Sequence, residues 1–158
     1  MNGAVTVTGG ATRSESVRAG LEAVPGAVDI VLVHDAARPL ATVKLFERVV
    51  AAVRDAGADG AVPGLAMSDT VKRVERDVVV ETVLREALVS VQTPQGFRTS
   101  VLRAAYARGA EGTDDASVVE AAGGTVIVVA GERDNFKITE AGDLERAQAV
   151  LAARERAR

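Results

Sequence analysis

The chain has 158 residues, 47% apolar and 26% charged, a balance that suits one ordinary domain able to bury a core. With no cysteine and a single histidine, His34, it excludes disulfides, thiolate zinc sites and cysteine nucleophiles, disfavours a histidine metal cluster, and suits a reducing cytoplasm. Its net charge of −3 argues against a general nucleic-acid binder, so any phosphate chemistry must draw on local cations.

The opening Met1-Asn2-Gly3-Ala4 lacks the basic-then-apolar order of a secretion signal, and nowhere do about 18 apolar residues run together. Ala4 to Thr8 is β-branched and reads as a short strand ending at Gly9-Gly10. Thr12 and Glu15 have capping-box spacing, with Val17, Leu21 and Val24 following at helical intervals, which predicts a helix from about residue 13. Asp29 to His34 is a nearly continuous apolar run, as expected of a strand covered on both faces of a parallel sheet. Thr42 caps a helix with Val43, Phe46, Val49, Val50 and Val53 on one face, closing at Gly57, and Ala61-Val62-Pro63 is a further strand.

The character then changes. Asp69 to Glu75 and Val78 to Val83 flank Arg76-Asp77 as a charged hairpin, so residues 66–86 are predicted to project as an arm from a single domain spanning 1–158. Ala87 to Gln92 reads as a strand and Ser100 to Arg108 as a helix. Asp114 or Asp115 caps another helix, Gly123-Gly124 precedes the strand Thr125 to Val129, Asn135 to Thr139 is a short extended piece, and Glu140 to Arg156 is the last helix. Arg154, Arg156 and Arg158 complement its C-terminal end. The alternation predicts a three-layer α/β domain with right-handed crossovers.

In open sheets of this class the working residues lie beyond the carboxyl ends of strands. His34-Asp35-Ala36-Ala37-Arg38-Pro39 occupies such a place. Asp35 and Arg38 there either meet a divalent cation, a ribose and a phosphate, or simply pair with one another. His34 reads as a hydrogen-bonded structural residue. Thr93-Pro94-Gln95-Gly96-Phe97 alone reads as a turn, helix capping accounts for Asp114 and Asp115, and Lys137 alone reads as a surface charge. No Walker loop, dinucleotide fingerprint or serine elbow is present.

Taken together, Gly9-Gly10-x-x-Arg13-x-x-Ser16-Val17, Val33 to Pro39, Asp69-Thr70-Val71-Lys72, Thr93 to Phe97, Thr113-Asp114-Asp115-Ala116-Ser117 and Asn135 to Thr139 resemble the 2-C-methyl-D-erythritol 4-phosphate cytidylyltransferase family over about residues 5–150. The resemblance implies a Rossmann-like nucleotidyltransferase fold with a mostly parallel sheet. It implies transfer of a cytidylyl group from CTP to a sugar-alcohol phosphate with release of pyrophosphate in isoprenoid synthesis. Gly10, Ser16, Asp35 and Ala36 would contact cytosine and ribose, with Asp35 also near Mg2+. Arg38, Thr93, Thr113 and Lys137 would line the sugar-phosphate and α-phosphate region. Thr70 and Arg85 would reach across a homodimer, through the hairpin arm, into the partner's site. Lys137, Arg38, Arg85 and Thr70 make up the implied catalytic set.

The family's first strand and glycine-rich triphosphate loop find no match in this sequence, so the expectation is a chain lacking them and inactive alone. Ala11 stands where many relatives carry an acidic residue. Two other readings stand beside this one: a ribitol-5-phosphate cytidylyltransferase, and a non-catalytic remnant or fragment that keeps the arm.

Overall fold

The structure, a computed structural model, describes residues 3–109 and 111–157. Met1 and Asn2, read above as the chain's opening, and Arg158, read as part of the basic helix end, lie outside the described residues. In chain order the elements are α1 (Arg13–Ala23), β1 (Ile30–Val33), α2 (Val43–Asp55), β2 (Gly60–Ala66), β3 (Val71–Glu75) and β4 (Val78–Val83), followed by β5 (Val89–Val91), β6 (Gln95–Arg98), α3 (Thr99–Ala107), α4 (Asp115–Ala121), β7 (Val126–Ala130) and α5 (Ala141–Arg156).

The helix starts follow from local chemistry. Thr12 and Glu15 form the predicted capping box on α1, and the Thr42 hydroxyl accepts the Leu45 amide at the start of α2. Asp114 and Ser117 form a second box on α4. At the start of α5 the Asp143 carboxylate accepts the Glu140 amide at 3.1 Å, the reciprocal half of such a box.

The main sheet has the order β1-β6-β2-β5, with β7 on the other side of β2. β1, β2 and β7 run in one direction, while β6 and β5 are inserted antiparallel. The sheet is thus mostly parallel in strand direction, although its one parallel ladder is β2 with β7. Burial of β1 on both faces comes from helices on both sides, which an antiparallel neighbour does not alter. Val31, Val33, Val62 and Val126 pack with Phe97, Leu102, Tyr106, Val118 and Val119 under α1, α3 and α4. Ile30, Leu32, Ala61, Ile127 and Val129 pack on Val49 and Val53 of α2. This alternation is the period-two pleat read into two cores.

Three expectations are corrected. Ala4 to Thr8 is exposed and forms no strand, because no strand among the described residues runs beside it to complete a ladder. Gln95 to Arg98, read as part of a turn, is the central strand β6, and a cis peptide joins Thr93 to Pro94 just before it. Asn135 to Thr139 is a loop docked on other loops rather than an extended piece. The hairpin forms as predicted, as a separate two-stranded sheet of β3 and β4 turning at Arg76 and Asp77, both with positive φ. A bulge between Arg73 and Val74 shifts its register.

Candidate active site

The turn after β1 is fixed by a chain of hydrogen bonds through Thr93. The Asp35 amide donates to the Thr93 hydroxyl at 2.9 Å, and that oxygen lies 3.0 Å from His34 Nδ1. His34 Nε2 lies 3.1 Å from the Arg38 carbonyl, which can only accept, so Nε2 carries the proton. In the tautomer with the proton on Nε2, Nδ1 accepts from the Thr93 hydroxyl. His34 is therefore the structural residue expected from sequence, packed edge-on against Phe46 with ring centroids 5.1 Å apart.

A second segment is clamped onto this turn. The Ile138 amide donates to the Ala37 carbonyl at 2.8 Å, and the Arg38 guanidinium donates to the Asn135 carbonyl at 2.8 Å. Asn135 is wholly buried and donates from Nδ2 to the Thr93 carbonyl at 2.8 Å. The clamp brings Lys137 Nζ to 3.1 Å from Asp35 Oδ2, which also faces Arg38 Nε at 3.8 Å. Burial works against the charge of Arg38, and Asp35 only partly offsets it, so its basicity is lowered.

Asp35, Arg38, Thr93, Thr113 and Lys137 line one cavity of about 180 Å³. Ser16, Asp35 and Ala36 line a neighbouring cavity of about 490 Å³ between α1 and β1. Asp35 and Arg13 border both, so Ser16, Asp35 and Ala36, expected to meet nucleotide, share one cleft with the residues expected to meet sugar phosphate, while Gly10 lines neither cavity. The loop before α1 closes on itself: the Gly10 amide donates to Ser16 Oγ at 3.1 Å, and a Cβ on Gly10 would collide with Glu15. Thr70 and Arg85 line neither cavity. They sit at the two ends of the hairpin, where Arg85 donates to the Ser68 carbonyl at 2.6 Å.

Sequence reasoning treated both aspartates of Thr113-Asp114-Asp115 as caps, and only Asp114 is one. Its carboxylate accepts the Ser117 amide at 2.9 Å and Gln95 Nε2 at 2.8 Å. Burial opposes its charge, but Gln95, Ser117 and Arg13 together hold the carboxyl below its ordinary value. Asp115 is wholly buried and takes both ends of the Arg13 guanidinium, at 3.2 and 2.5 Å, along with the Tyr106 hydroxyl at 2.5 Å. Desolvation, reinforced by Asp115, raises the Tyr106 phenol far above its ordinary value. Arg13 entered the sequence reading only as part of a motif. Nothing local signalled its tie to a residue 102 positions away.

The implied Mg2+ can be tested against these groups. Among the described residues no three His, Cys, Asp or Glu side chains cluster as a complete metal cage. Asp114 is committed to its cap, which leaves the part-exposed Asp35 as the carboxylate facing the cleft. One carboxylate fits an ion held mainly by substrate phosphates and water.

Small cavities edged by Arg38 and Lys137, beyond the carboxyl end of β1, suit a phosphorylated ligand. The model of the family described as IspD: 2-C-methyl-D-erythritol 4-phosphate cytidylyltransferase matches residues 2–153. A bifunctional enzyme IspD/IspF from Clavibacter michiganensis is 56% identical over 148 residues, which cover 92% of this chain and 36% of that protein. A 2-C-methyl-D-erythritol 4-phosphate cytidylyltransferase from Streptomyces avermitilis is 50% identical over 158 residues, 95% of this chain and 63% of that one. The chain thus spans less than two thirds of the length of these two relatives. A crystal structure of 2-C-methyl-D-erythritol 4-phosphate cytidylyltransferase from Thermus thermophilus superposes with a TM-score of 0.82 at 45% identity, covering 95% of this chain and 74% of that one.

Proposed function

Since the chain belongs to the 2-C-methyl-D-erythritol 4-phosphate cytidylyltransferase family, we propose that its cleft serves transfer of a cytidylyl group from CTP to 2-C-methyl-D-erythritol 4-phosphate. The observation that carries this reading is the convergence of Lys137 and Arg38 on Asp35, beside Thr93 and Thr113. An oxygen of the acceptor phosphate attacks the α-phosphorus in line as the bond to pyrophosphate breaks. Two anions must meet, so the residues act by positioning and charge neutralisation rather than by proton transfer. Lys137 and Arg38 place positive charge at the α-phosphate and acceptor, Gly10, Ser16 and Ala36 hold cytosine and ribose, and Thr113 lines the acceptor side. Thr93 contributes through the turn, because its hydroxyl already serves Asp35 and His34. A magnesium ion held by Asp35 and phosphate oxygens would supply further charge neutralisation on the triphosphate. The absence of cysteine suits a cytoplasmic setting. The test is pyrophosphate release with CTP and magnesium by the chain joined to the family's first strand and glycine-rich loop, since the 158 residues alone are expected to be inactive. Release that requires 2-C-methyl-D-erythritol 4-phosphate, and is faster with it than with ribitol 5-phosphate, is the expected result. No release with either acceptor would overturn the reading.

The arm supports a homodimer within the same proposal. Val74, Val78, Val79 and Val80 are 52%, 63%, 57% and 43% exposed on a hairpin too small to bury them itself. A second copy placed there would cover them and bring Thr70 and Arg85 to the partner's cleft. Deleting residues 70–83 is expected to give a monomer by analytical sedimentation. An unchanged dimer would remove the arm from the interface.

A further inference from the structure

Beyond Lys137 the cleft opens into a separate cavity of about 440 Å³, and four of its lining side chains are cations: Arg38, Arg133, Lys137 and Arg146. No carboxylate lines it, although the chain carries 22 acidic residues against 19 basic ones. The nearby acids along the chain are engaged elsewhere. Glu132 accepts the Thr42 hydroxyl at 2.7 Å and faces Arg48 at 3.8 Å. Asp134 faces Arg154 at 3.5 Å. Asp143 turns back to the Thr139 and Glu140 amides at the start of α5, where those amides and, more weakly, Arg146 hold its carboxyl below the ordinary value.

Two of the four cations have no evident structural duty. Among the described residues Arg133 is in no ion pair and no side-chain hydrogen bond. Arg146 is in no ion pair, and its guanidinium lies 4.0 Å from the centroid of the Phe136 ring, which holds a long side chain in place at the cavity wall. The other two, Arg38 and Lys137, also border the smaller cavity where Asp35 and Thr113 lie. Arg38 Nε is buried with no hydrogen-bond partner. Four cations therefore share one paired carboxylate, Asp35, which faces Lys137 and Arg38; the excess positive charge repels itself, and a bound anion relieves that repulsion.

We propose that Arg133 and Arg146, with Arg38 and Lys137, form an anion-binding vestibule that captures the phosphorylated acceptor and delivers it to the α-phosphate. This rests on the transferase reading for the identity of the ligand. An acidic protein presents a dianionic acceptor with a repulsive background, and a local cluster of positive charge reverses it at the entrance. The effect belongs to capture rather than to chemistry, so it falls on acceptor affinity and on kcat/KM at low ionic strength.

The experiment is calorimetric titration of the chain, joined to the family's first strand and glycine-rich loop so that CTP can bind, with 2-C-methyl-D-erythritol 4-phosphate, and separately with CTP and magnesium, at low salt and at ~0.5 M salt. R133E and R146E are compared singly and together with R54E, which makes the same single charge reversal beside Asp55 on exposed α2, outside the cavity. The double variant is expected to bind acceptor roughly tenfold more weakly at low salt and within about twofold of the parent at high salt, with CTP affinity unchanged. R54E should match the parent. Acceptor affinity that is unaffected, a loss equal for CTP and acceptor, or a parent that does not bind the acceptor at all would overturn the vestibule. Charge-dependent acceptor binding without pyrophosphate release would instead sink the transferase reading and leave the vestibule standing.

Discussion

Arg13→Ala is expected to lower folding stability by about 3 kcal/mol in urea denaturation at neutral pH, a large share of the margin of a domain this size. The reason lies in what remains behind. Asp115 is fully buried and its charge is matched by a bidentate guanidinium and one phenol. Without Arg13, a carboxylate is left in the core with Tyr106 as its remaining hydrogen-bond donor. The figure sits at the low end for a broken buried pair because the Arg13 side chain is itself 37% exposed, so water can reach the vacated space. Tyr106→Phe should cost only about 1 kcal/mol, since it removes one hydrogen bond without orphaning the charge. The double change Arg13→Ala with Asp115→Ala should be less damaging than the two single costs added together, because the buried charge leaves with its partner. A cost for Arg13→Ala below about 1 kcal/mol would show that Asp115 is satisfied without it. The site would feel the loss as well. Arg13 opens α1, the helix that carries Ser16 and closes the Gly10 loop, and Asp115 opens α4 beside Thr113, so one ion pair fixes the spacing between the two sides of the cleft.

Much of this fold is written locally, and what is not shows where local reading ends. Thr12, Thr42 and Asp114 mark helix starts because capping is a matter of residues three apart. The two valine-rich runs around Arg76-Asp77 mark the hairpin because both turn residues tolerate positive φ in a tight turn. By contrast, Ala4 to Thr8 has strand composition yet remains unpaired, since a strand exists only with a neighbour. Pro94 and Gly96 disguise β6 as a turn, whereas Gly96 is required there by packing: a Cβ would meet Val49 of α2 and Leu32 of β1. At the site, the Asp35 turn was legible as the end of an apolar strand. The roles of Arg13, Asn135 and Gln95 were not, because each acts on residues far away in sequence, and a buried amide looks in sequence like any loop amide.

In the chain joined to the family's first strand and glycine-rich loop, Lys137→Ala is expected to lower kcat by roughly 30- to 1,000-fold, about 2–4 kcal/mol, while changing the KM for CTP by less than about threefold. The asymmetry follows from when the charge is used. In the resting site Nζ is 3.1 Å from Asp35, so part of its field is already answered by that carboxylate, and a ground-state triphosphate gains little from it. As the acceptor oxygen closes on the α-phosphorus, negative charge concentrates on the equatorial and bridging oxygens, and a cation held in place by the Asn135–Ile138 clamp meets it without reorganising. Lys137→Arg should recover only part of the rate. The planar guanidinium is larger than a point-like ammonium, and the 180 Å³ cavity it must enter already holds Arg38 at its wall. Asp35→Asn provides the contrast: removing the carboxylate frees Lys137 but takes away the proposed metal ligand, so its loss should vary with magnesium concentration, whereas that of Lys137→Ala should not. Steady-state kinetics across a magnesium series separates the two. Full turnover by Lys137→Ala at saturating substrates would leave Lys137 as a partner that merely holds Asp35 in place, and the charge at the α-phosphate would then have to come from Arg38.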